Sequence, residues 1–454
     1  MSEFPTIQLG EVTTKVGSGS TPRGGEAAYK STGTPLIRSM NVHFGGFRED
    51  GLAHIDDDQA AALRNVEVRA RDVLLNITGA SIGRVTIAPP HMDGARVNQH
   101  VCIIRPDPRL EPSFLRWFLA SPHQQRLINS MESGATRQAL TKEKILAFEV
   151  PLPSLDGQRE IVAELEKQFS RLDEAVANLQ RVKANLKRYK ASVLKAAVEG
   201  RLVETETTLA RREGRTYETG EQLLQRILDG RRAKWAGRGK WKEPESTSPD
   251  SQLPDGWAWA SLDKLAEVGT GATPKRDKPA FWINGDVPWV TSSVVNGDYV
   301  DEASEFVTQM ALAQTNLTLY PVGTLLIAMY GEGKTRGKCT ELRIPATTNQ
   351  ALAALQVDPS VRGYLRHFLE LNYEEMRKVA SGGVQPNLNL SLVRAVCVPL
   401  PPLAEQIRIV AEVDRHLSIV REVEVEVDAN LQRAQALRKA ILKTAFQSSV
   451  LEAR

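Results

Sequence analysis

The chain contains a long internal repeat, and this feature constrains its fold more than any other. The stretch "VPLPSLDGQREIVAEL" at residues 150–165 returns as "VPLPPLAEQIRIVAEV" at residues 398–413, an offset of 248 positions. Upstream, "GSGSTP" from Gly17 matches "GTGATP" from Gly269, and "NQH" from Asn98 matches "NQA" from Asn349. Because a sequence repeat indicates a repeated structural unit, we predict two similar halves.

Each half ends in a segment with the pattern of a coiled coil. Residues 158–199 contain no proline or glycine, and apolar residues recur at intervals of seven in both copies. The predicted seam consists of Leu165, Leu172, Leu179, Leu186 and Val193 in the first copy and Val413, Val420, Val427, Ala434 and Ile441 in the second. Such heptads predict paired helices, each about 60 Å long. The strand-like "EVEVEV" at residues 422–427 is also predicted as helix, because the heptads continue on both sides of it.

The remainder of each half is predicted as mixed α and β. The runs "DVLLNIT", "HVCIIR", "VPWVTS" and "GTLLIAM" are typical of strands, and residues 112–130 and 360–379 are predicted as helices. The fold class is therefore α+β, with two globular α/β domains joined by a two-helix antiparallel coiled coil in a pseudo-twofold repeat. Antiparallel pairing places one globular domain at each end of the rod. Thr219 and Gln222 form a capping-box pattern in the intervening linker.

The predicted boundaries follow from these patterns. They are residues 1–154 for the first globular domain, 155–200 for the first spacer helix, 201–251 for a linker with one short helix, 252–402 for the second globular domain and 403–454 for the second spacer helix.

Composition limits the classes of protein to consider. Charged residues make up 25% of the chain and the net charge is +3, typical of a globular protein. The three cysteines, Cys102, Cys339 and Cys397, form no CxxC pair, so we expect neither a disulfide framework nor a metal site. The sequence has no signal peptide pattern and no apolar run of membrane-spanning length, which favours a cytoplasmic protein without membrane contact.

Catalytic motifs are weak throughout the chain. The sequence "GKT" at residues 333–335 ends like a phosphate-binding loop, but position 328 holds Ala328 where that loop needs glycine. The chain also contains neither N-P-P-[FYW] nor a GxGxxG after a predicted strand. We therefore expect no cofactor and no catalytic residues. Besides a noncatalytic DNA-binding protein, two other classes of protein stay open. One is a nuclease or methyltransferase with its own DNA reader, and the other is a coiled-coil adaptor without a DNA role.

Polar loop residues suggest DNA recognition, since amide, guanidinium and hydroxyl groups match the donors and acceptors of base edges. The candidates of the first half are Thr21, Arg23, Arg38, Asn41, Asn76, Thr78, Ser81, Arg84, Arg137 and Gln138. The candidates of the second half are Thr273, Lys275, Arg276, Ser292, Ser293, Asn296, Lys334, Thr335, Arg336, Lys338, Gln385 and Asn387. A basic run on the first predicted helix, residues 181–195, indicates attraction to phosphates.

Taken together, these motifs resemble the specificity (S) subunit of type I restriction-modification systems. The resemblance spans the chain and rests on the paired "VPLP" stretches, on "SGATRQALTKEKI" and "SGGVQPNLNLSLV" before them, and on "LPDGWAWASLDKL" at the start of the second domain. "FPTIQLGEV" is a weaker match to the same opening in the first domain.

The resemblance implies a noncatalytic DNA reader. Each globular domain would be a target-recognition domain that reads one half of a bipartite, asymmetric site in double-stranded DNA. The paired helices would set the spacer between the half-sites. Their seam would also help to dock two modification subunits, which bring S-adenosylmethionine and methylate adenine, and restriction subunits would join that complex.

Overall fold

The protein is described here by a computed structural model that covers residues 5–22, 24–131, 140–235, 241–244, 249–330, 335–380 and 387–447. The chain divides into two compact units. Unit 1 comprises residues 1–182 and 426–454, and unit 2 comprises residues 183–425. Both boundaries fall inside long helices, so each unit contains one globular part and portions of two helices.

The strands are β1 (Thr6–Gln8), β2 (Thr13–Ser18), β3 (Thr34–Ile37), β4 (Val42–His43), β5 (Gly46–Phe47), β6 (Ala53–Ile55), β7 (Val73–Asn76), β8 (Val85–Ile87), β9 (Arg96–Val97), β10 (Val101–Pro106), β11 (Glu149–Pro151), β12 (Ala258–Ser261), β13 (Ala266–Thr270), β14 (Val287–Val290), β15 (Tyr299–Val300), β16 (Glu305–Val307), β17 (Leu325–Ala328), β18 (Cys339–Leu342), β19 (Thr347–Thr348), β20 (Leu352–Val357) and β21 (Cys397–Leu400). The helices are α1 (Asp57–Ala62), α2 (Pro112–Ala120), α3 (Pro122–Ser130), α4 (Lys142–Leu146), α5 (Leu155–Val198), α6 (Glu206–Glu213), α7 (Gly220–Ala233), α8 (Leu262–Leu265), α9 (Gln309–Gln314), α10 (Arg362–Leu371), α11 (Tyr373–Ala380), α12 (Leu390–Arg394) and α13 (Leu403–Gln447).

The two globular parts share a common strand order, to which unit 2 adds the edge strand β15. Unit 1 has a four-stranded sheet of order β2-β10-β7-β8 and a three-stranded sheet of order β6-β3-β9. Unit 2 has the corresponding orders β13-β20-β17-β18-β15 and β16-β14-β19. In both three-stranded sheets the central strand has one antiparallel and one parallel neighbour. This agreement confirms the internal repeat and the mixed α/β character of both parts.

The central strands bury both of their faces. In β7, Val73 and Leu75 share a core with helix α2, whereas Leu74 packs in the core that contains the three-stranded sheet. In β17, Leu325 and Leu326 divide between two clusters in the same way. Successive strand residues point to opposite faces, so a run of apolar residues can fill two cores at once. Each such side chain contributes about 1.5–3 kcal/mol on burial.

The repeated "VPLP" motif closes each globular part where its long helix begins. Strand β1 pairs with β11, and β12 pairs with β21, so the first and last strands of each part are neighbours. Gln158 is buried and its Nε2 donates to the Pro153 carbonyl at 2.9 Å, and Gln406 Nε2 donates to the Pro401 carbonyl at 2.8 Å. Proline disfavours helix in the residue before it, so α5 and α13 begin only after these prolines.

The two long helices run antiparallel. In unit 1, the side chains of Asp173 and Arg438 form an ion pair of 2.7 Å, while residues 161–168 of α5 line a groove with residues 437–445 of α13. In unit 2, Tyr189 and His416 share a hydrogen bond of 2.7 Å. The predicted two-helix antiparallel coiled coil is therefore confirmed, and "EVEVEV" lies within α13.

The predicted seam follows the burial pattern of the two helices. Its buried members are Leu165, Val193, Val413, Val420, Val427 and Ala434, and its half-buried members are Leu172, Leu179, Leu186 and Ile441.

Three predicted segments differ from the structure in detail. Residues 112–130 form α2 and α3 rather than one helix, because Ser121 caps a new helix that Pro122 begins. Residues 360–379 are likewise divided between α10 and α11. The predicted linker contains α6 as well as the capped helix α7, and Leu223 and Ile227 of α7 lie in the core of unit 2. Among the described residues, no helix combines the length and apolarity required to span a membrane.

Candidate nucleic-acid interface

In unit 1, strand register brings the candidate loops to one edge of the sheets. The start of β10 lies opposite the ends of β2 and β7, since Cys102 pairs with Ser18 and Val101 pairs with Asn76. Strands β3 and β9 are parallel, and the backbone N–H of Asn98 donates to the Ile37 carbonyl at 3.1 Å. The loops that follow β2, β3, β7 and β9 therefore meet at this edge.

Unit 2 gathers its loops by the same register. The start of β20 lies opposite the ends of β13 and β17, since Ala353 pairs with Thr270 and Leu352 pairs with Ala328. Strand β17 ends and strand β18 begins at this edge, since Ile327 pairs with Cys339. Asn349 donates its backbone N–H to the Val290 carbonyl at 3.0 Å, which places the loop after β14 beside the loop after β19. We call these two places the reading edges of units 1 and 2.

Each reading edge contains the same side-chain hydrogen bond. The Thr21 hydroxyl donates to Gln99 Oε1, and the Thr273 hydroxyl donates to Gln350 Oε1 at 2.7 Å. We refer to these two pairs as the Thr–Gln clamps. The preceding asparagines also match, because Asn98 Oδ1 and Asn349 Oδ1 each accept a backbone N–H two residues later, at 3.1 Å in both cases. The clamp ties the loop after β2 or β13 to the loop after β9 or β19.

A glycine makes each clamp possible by letting two backbones touch. A Cβ atom at Gly19 would lie 1.7 Å from the Val97 carbonyl oxygen, and one at Gly271 would lie 1.7 Å from the Thr348 carbonyl oxygen. No side chain fits at either distance. Gly19 of "GSGSTP" and Gly271 of "GTGATP" are therefore required by close approach rather than by a turn.

In unit 1, further side-chain hydrogen bonds extend the clamp to His100 and Thr78. Gln99 Nε2 lies 2.9 Å from His100 Nε2, and the other ring nitrogen of His100 shares a hydrogen bond with Thr78.

Two residues of the predicted set are removed from this surface, because Asn41 and Asn76 are 0% exposed. Asn41 Nδ2 donates to the Arg48 carbonyl and Asn76 Nδ2 to the Ser39 carbonyl, both at 2.9 Å. We correct the predicted set accordingly: both amides brace loops from inside.

Arg38 is also used within unit 1. Its side chain is 19% exposed, donates to the Gly51 carbonyl at 2.6 Å and pairs with Glu26 at 3.3 Å. Ser81 and Arg84 are half-buried residues of the turn between β7 and β8, where the Arg84 N–H donates to the Ser81 carbonyl at 3.1 Å.

The reading edge of unit 2 is richer in exposed polar groups. Lys275, Arg276, Ser293 and Asn296 are exposed, whereas Ser292, Thr335, Arg336, Lys338 and Asn387 are half-buried. Lys338 Nζ donates to Asn296 Oδ1 at 2.9 Å, which joins the loop after β14 to the loop before β18. Arg276 lies against Trp282 and Trp289.

Five predicted residues lie outside the described residues: Arg23, Arg137, Gln138, Lys334 and Gln385.

The basic run on α5 is partly neutralised within unit 2, because Lys190 pairs with Glu370 at 2.6 Å and Lys195 pairs with Glu199 at 3.8 Å. Burial raises the pKa of the Cys102 and Cys339 thiols to about 12, so neither is a nucleophile near neutral pH.

Sequence reasoning missed four residues that the geometry adds to the reading edges: Gln99, Gln350, Trp282 and Trp289. The repeated "NQ" dipeptide was a signal for the two glutamines, because it occurs at matching places of both halves. No comparable signal existed for the tryptophans, since their role depends on a contact with Arg276.

Comparison with known proteins gives consistent matches. Residues 1–187 and 254–428 match the family model of the type I restriction modification DNA specificity domain. The type I restriction enzyme EcoKI specificity subunit of Escherichia coli strain K12 is 21% identical over 439 residues, covering 92% of this chain and 82% of that subunit. The EcoR124I/EcoR124II specificity subunit of Escherichia coli is 23% identical over 169 residues, covering 36% of this chain and 42% of that subunit. The matched region thus spans less than half of the length of some curated relatives.

Two solved structures share the fold. The HsdS subunit of Thermoanaerobacter tengcongensis superposes with a TM-score of 0.55 at 18% identity, covering 99% of this chain and 98% of that one. A chain from a structural study of complex assembly and conformational transition in the type I R-M system superposes with a TM-score of 0.66 at 20% identity, covering 99% of both chains.

Proposed function

The chain belongs to the family of the type I restriction modification DNA specificity domain, and from this premise we propose that it is a noncatalytic DNA specificity subunit. Each globular part reads one half of a bipartite, asymmetric site in double-stranded DNA. The observation that carries this proposal is the repeated reading edge, where loops with base-matching side chains are fixed by the same Thr–Gln clamp in both units. Two similar edges with different exposed side chains suit two different half-sites.

The paired helices act as the spacer between the half-sites in this proposal. Helices α5 and α13 contain 44 and 45 residues, and helices of this size reach about 66 Å at 1.5 Å per residue, close to two turns of DNA. The predicted domain boundaries assign residues 1–154 and 252–402 to the two target-recognition domains. The protein works in the cytoplasm with two modification subunits, which carry the methyltransferase chemistry, and with restriction subunits.

The decisive test combines DNA selection with a domain exchange. The chain, assembled with the modification subunits of its own genome, is offered a pool of random duplexes, and the methylated adenines are mapped. We expect a bipartite motif. Replacing residues 1–154 with the corresponding part of another family member should change one half of that motif and leave the other half and the spacer unchanged.

Two results would contradict the proposal. Methyl transfer by the purified chain without modification subunits would make it an enzyme with its own DNA reader. An unchanged motif after the domain exchange would show that the globular part of unit 1 does not read sequence.

A further inference from the structure

Arg276 in unit 2 is an exposed cation held in a fixed orientation. Its guanidinium carbon lies 3.8 Å from the ring centroid of Trp282 and 4.9 Å from that of Trp289. The two indoles meet edge to face with centroids 5.2 Å apart. Glu305 accepts a hydrogen bond from Nη1 of Arg276. The side chain is nevertheless 54% exposed.

Backbone contacts fix the platform beneath this arginine. Trp289 Nε1 donates to the Ala272 carbonyl and Trp282 Nε1 donates to the Lys275 carbonyl, both at 3.0 Å. Trp289 and Glu305 are direct partners in the register of β14 and β16. The sheet therefore holds both the aromatic surface and the carboxylate that orient Arg276. Most of the entropy that a long side chain loses on binding has already been lost here.

The arrangement favours a base over a phosphate. A guanidinium in a fixed plane can donate two hydrogen bonds to O6 and N7 of guanine in the major groove. A phosphate can also accept two hydrogen bonds from a guanidinium, but it carries a full negative charge. The Glu305 carboxylate next to Nη1 offsets the charge of Arg276 and repels anionic oxygens. O6 and N7 of guanine carry only partial negative charges, so the carboxylate repels them less than it repels a phosphate. Because Nη1 donates to Glu305, Nε and Nη2 are the donors that we assign to the base.

We propose that Arg276 is a specificity-determining residue of unit 2 that reads a guanine, with Trp282, Trp289 and Glu305 as positioning residues. This inference rests on the proposed function, because it assigns one base contact to one of the two reading edges. The place of Arg276 beside the clamp supports it, since Thr273 of the clamp lies three residues before Arg276 in the same loop.

The test measures the DNA motif selected by variants of the full chain in its complex with modification subunits. We expect the wild type to select a guanine in the half-site of unit 2. Arg276→Ala should lose the preference for that guanine by about 5- to 150-fold while all other positions keep theirs. Arg276→Lys should not restore the preference, because an ammonium cannot make the planar bidentate contact.

Glu305→Gln separates base reading from phosphate contact. Removing the carboxylate should raise the affinity for random DNA, because the full charge of Arg276 is then exposed, and should weaken the guanine preference, because one orienting group is altered. If Arg276→Ala instead lowers affinity equally for all sequences and Arg276→Lys restores it, the residue binds phosphate and the inference is wrong.

Arg343 provides a matched control in the same unit. Its guanidinium carbon lies 3.5 Å from the ring centroid of Tyr299, it pairs with Asp301 at 3.4 Å and its side chain is 51% exposed. Arg343 follows the end of β18, opposite to the end that carries the reading edge. Arg343→Ala should leave the motif unchanged. A wild type that selects no bipartite motif would refute the proposed function, whereas an unchanged motif in Arg276→Ala would refute only this inference.

Discussion

The two reading edges share their glycines and their Thr–Gln clamps, but they differ in how far their arginines are exposed. Arg38 in unit 1 lies 5.1 Å from the ring centroid of Tyr29, pairs with Glu26 and is only 19% exposed. Arg276 in unit 2 also combines an aromatic neighbour with a glutamate, yet it is 54% exposed. Arg38 also donates a hydrogen bond to the Gly51 carbonyl.

This difference shows that residues that fix the loops are shared by the two units, whereas exposed residues are not. The glycines, the Thr–Gln clamps and the asparagine turns are common to both units, so they hold the loops in place. The exposed side chains differ, so in the proposed function they are the groups that would distinguish the two half-sites. Arg38 stabilises its loop because its donors bind groups within unit 1, whereas the more exposed Arg276 is the one that we propose to contact DNA.

The largest expected effect comes from breaking the common frame. Gly19→Ala forces a Cβ to within 1.7 Å of a backbone oxygen, so the loops after β2 and β9 must separate. We expect the free energy of unfolding of unit 1 to fall by at least about 3 kcal/mol, measured by chemical denaturation. Gly17→Ala is the control, because a Cβ at Gly17 meets nothing within 4 Å. Equal stability of the two variants would show that the close approach is not needed.

The next largest effect is the difference in stability between alanine variants of Arg38 and Arg276. Arg38→Ala removes a hydrogen bond and an ion pair from a partly buried site and should lower the free energy of unfolding by about 1–2 kcal/mol. Arg276→Ala removes an exposed side chain and should cost less than about 1 kcal/mol. Thermal unfolding of both variants checks this order. If Arg276→Ala is the more damaging of the two, its cluster is structural and the comparison fails.

A smaller effect is expected from the clamp. Thr273→Val removes the hydroxyl that fixes Gln350, and we expect a 3- to 10-fold loss of affinity, about 1 kcal/mol, that is the same for every DNA sequence. Titration of one cognate and one random duplex measures it. Thr324→Val is the control, since Thr324 hydrogen-bonds to the Pro321 carbonyl at 2.8 Å just before β17, away from the reading edge. A loss confined to the cognate duplex would instead make the clamp part of base reading.

The smallest effect concerns the basic run on α5. Lys187 and Arg188 are exposed, and replacing both with alanine should make the dependence of log K on log salt less steep by up to about 0.9 for each lost phosphate contact. Lys195→Ala is the control, because Lys195 already pairs with Glu199. An unaltered slope would leave Lys187 and Arg188 as ordinary residues of a solvated helix face.

The sequence predicts the fold of this protein well because its strongest signals are periodic or repeated. Heptads identify α5 and α13, and apolar runs identify the central strands β7, β10, β14 and β17. Both kinds of signal arise from burial, which is the dominant stabilising term in folding. Helix α6 was missed, although Thr205 caps its start and Gly214, with a φ of 66°, ends it. These two cues are short and act only locally.

The reading edges were harder to predict because exposure depends on tertiary contacts. Asn41 and Asn76 have the same chemistry as base-reading amides, yet both are fully buried by loops that are distant in sequence. Trp289 is an apolar strand residue in the sequence and part of a platform only after β14 pairs with β16. Residue type indicates what a side chain can bind, whereas the fold decides whether it is available.

The pairing of β1 with β11, and of β12 with β21, has a consequence for how genes of this kind can change. Each pairing brings the two boundaries of a globular part side by side, with the helix beginning immediately afterwards. A recombination event with one breakpoint in each of the two paired strands would therefore transfer an entire globular part and keep helices α5 and α13 intact. Such an exchange would replace the proposed recognition part in one step and keep the strand pair at its boundary.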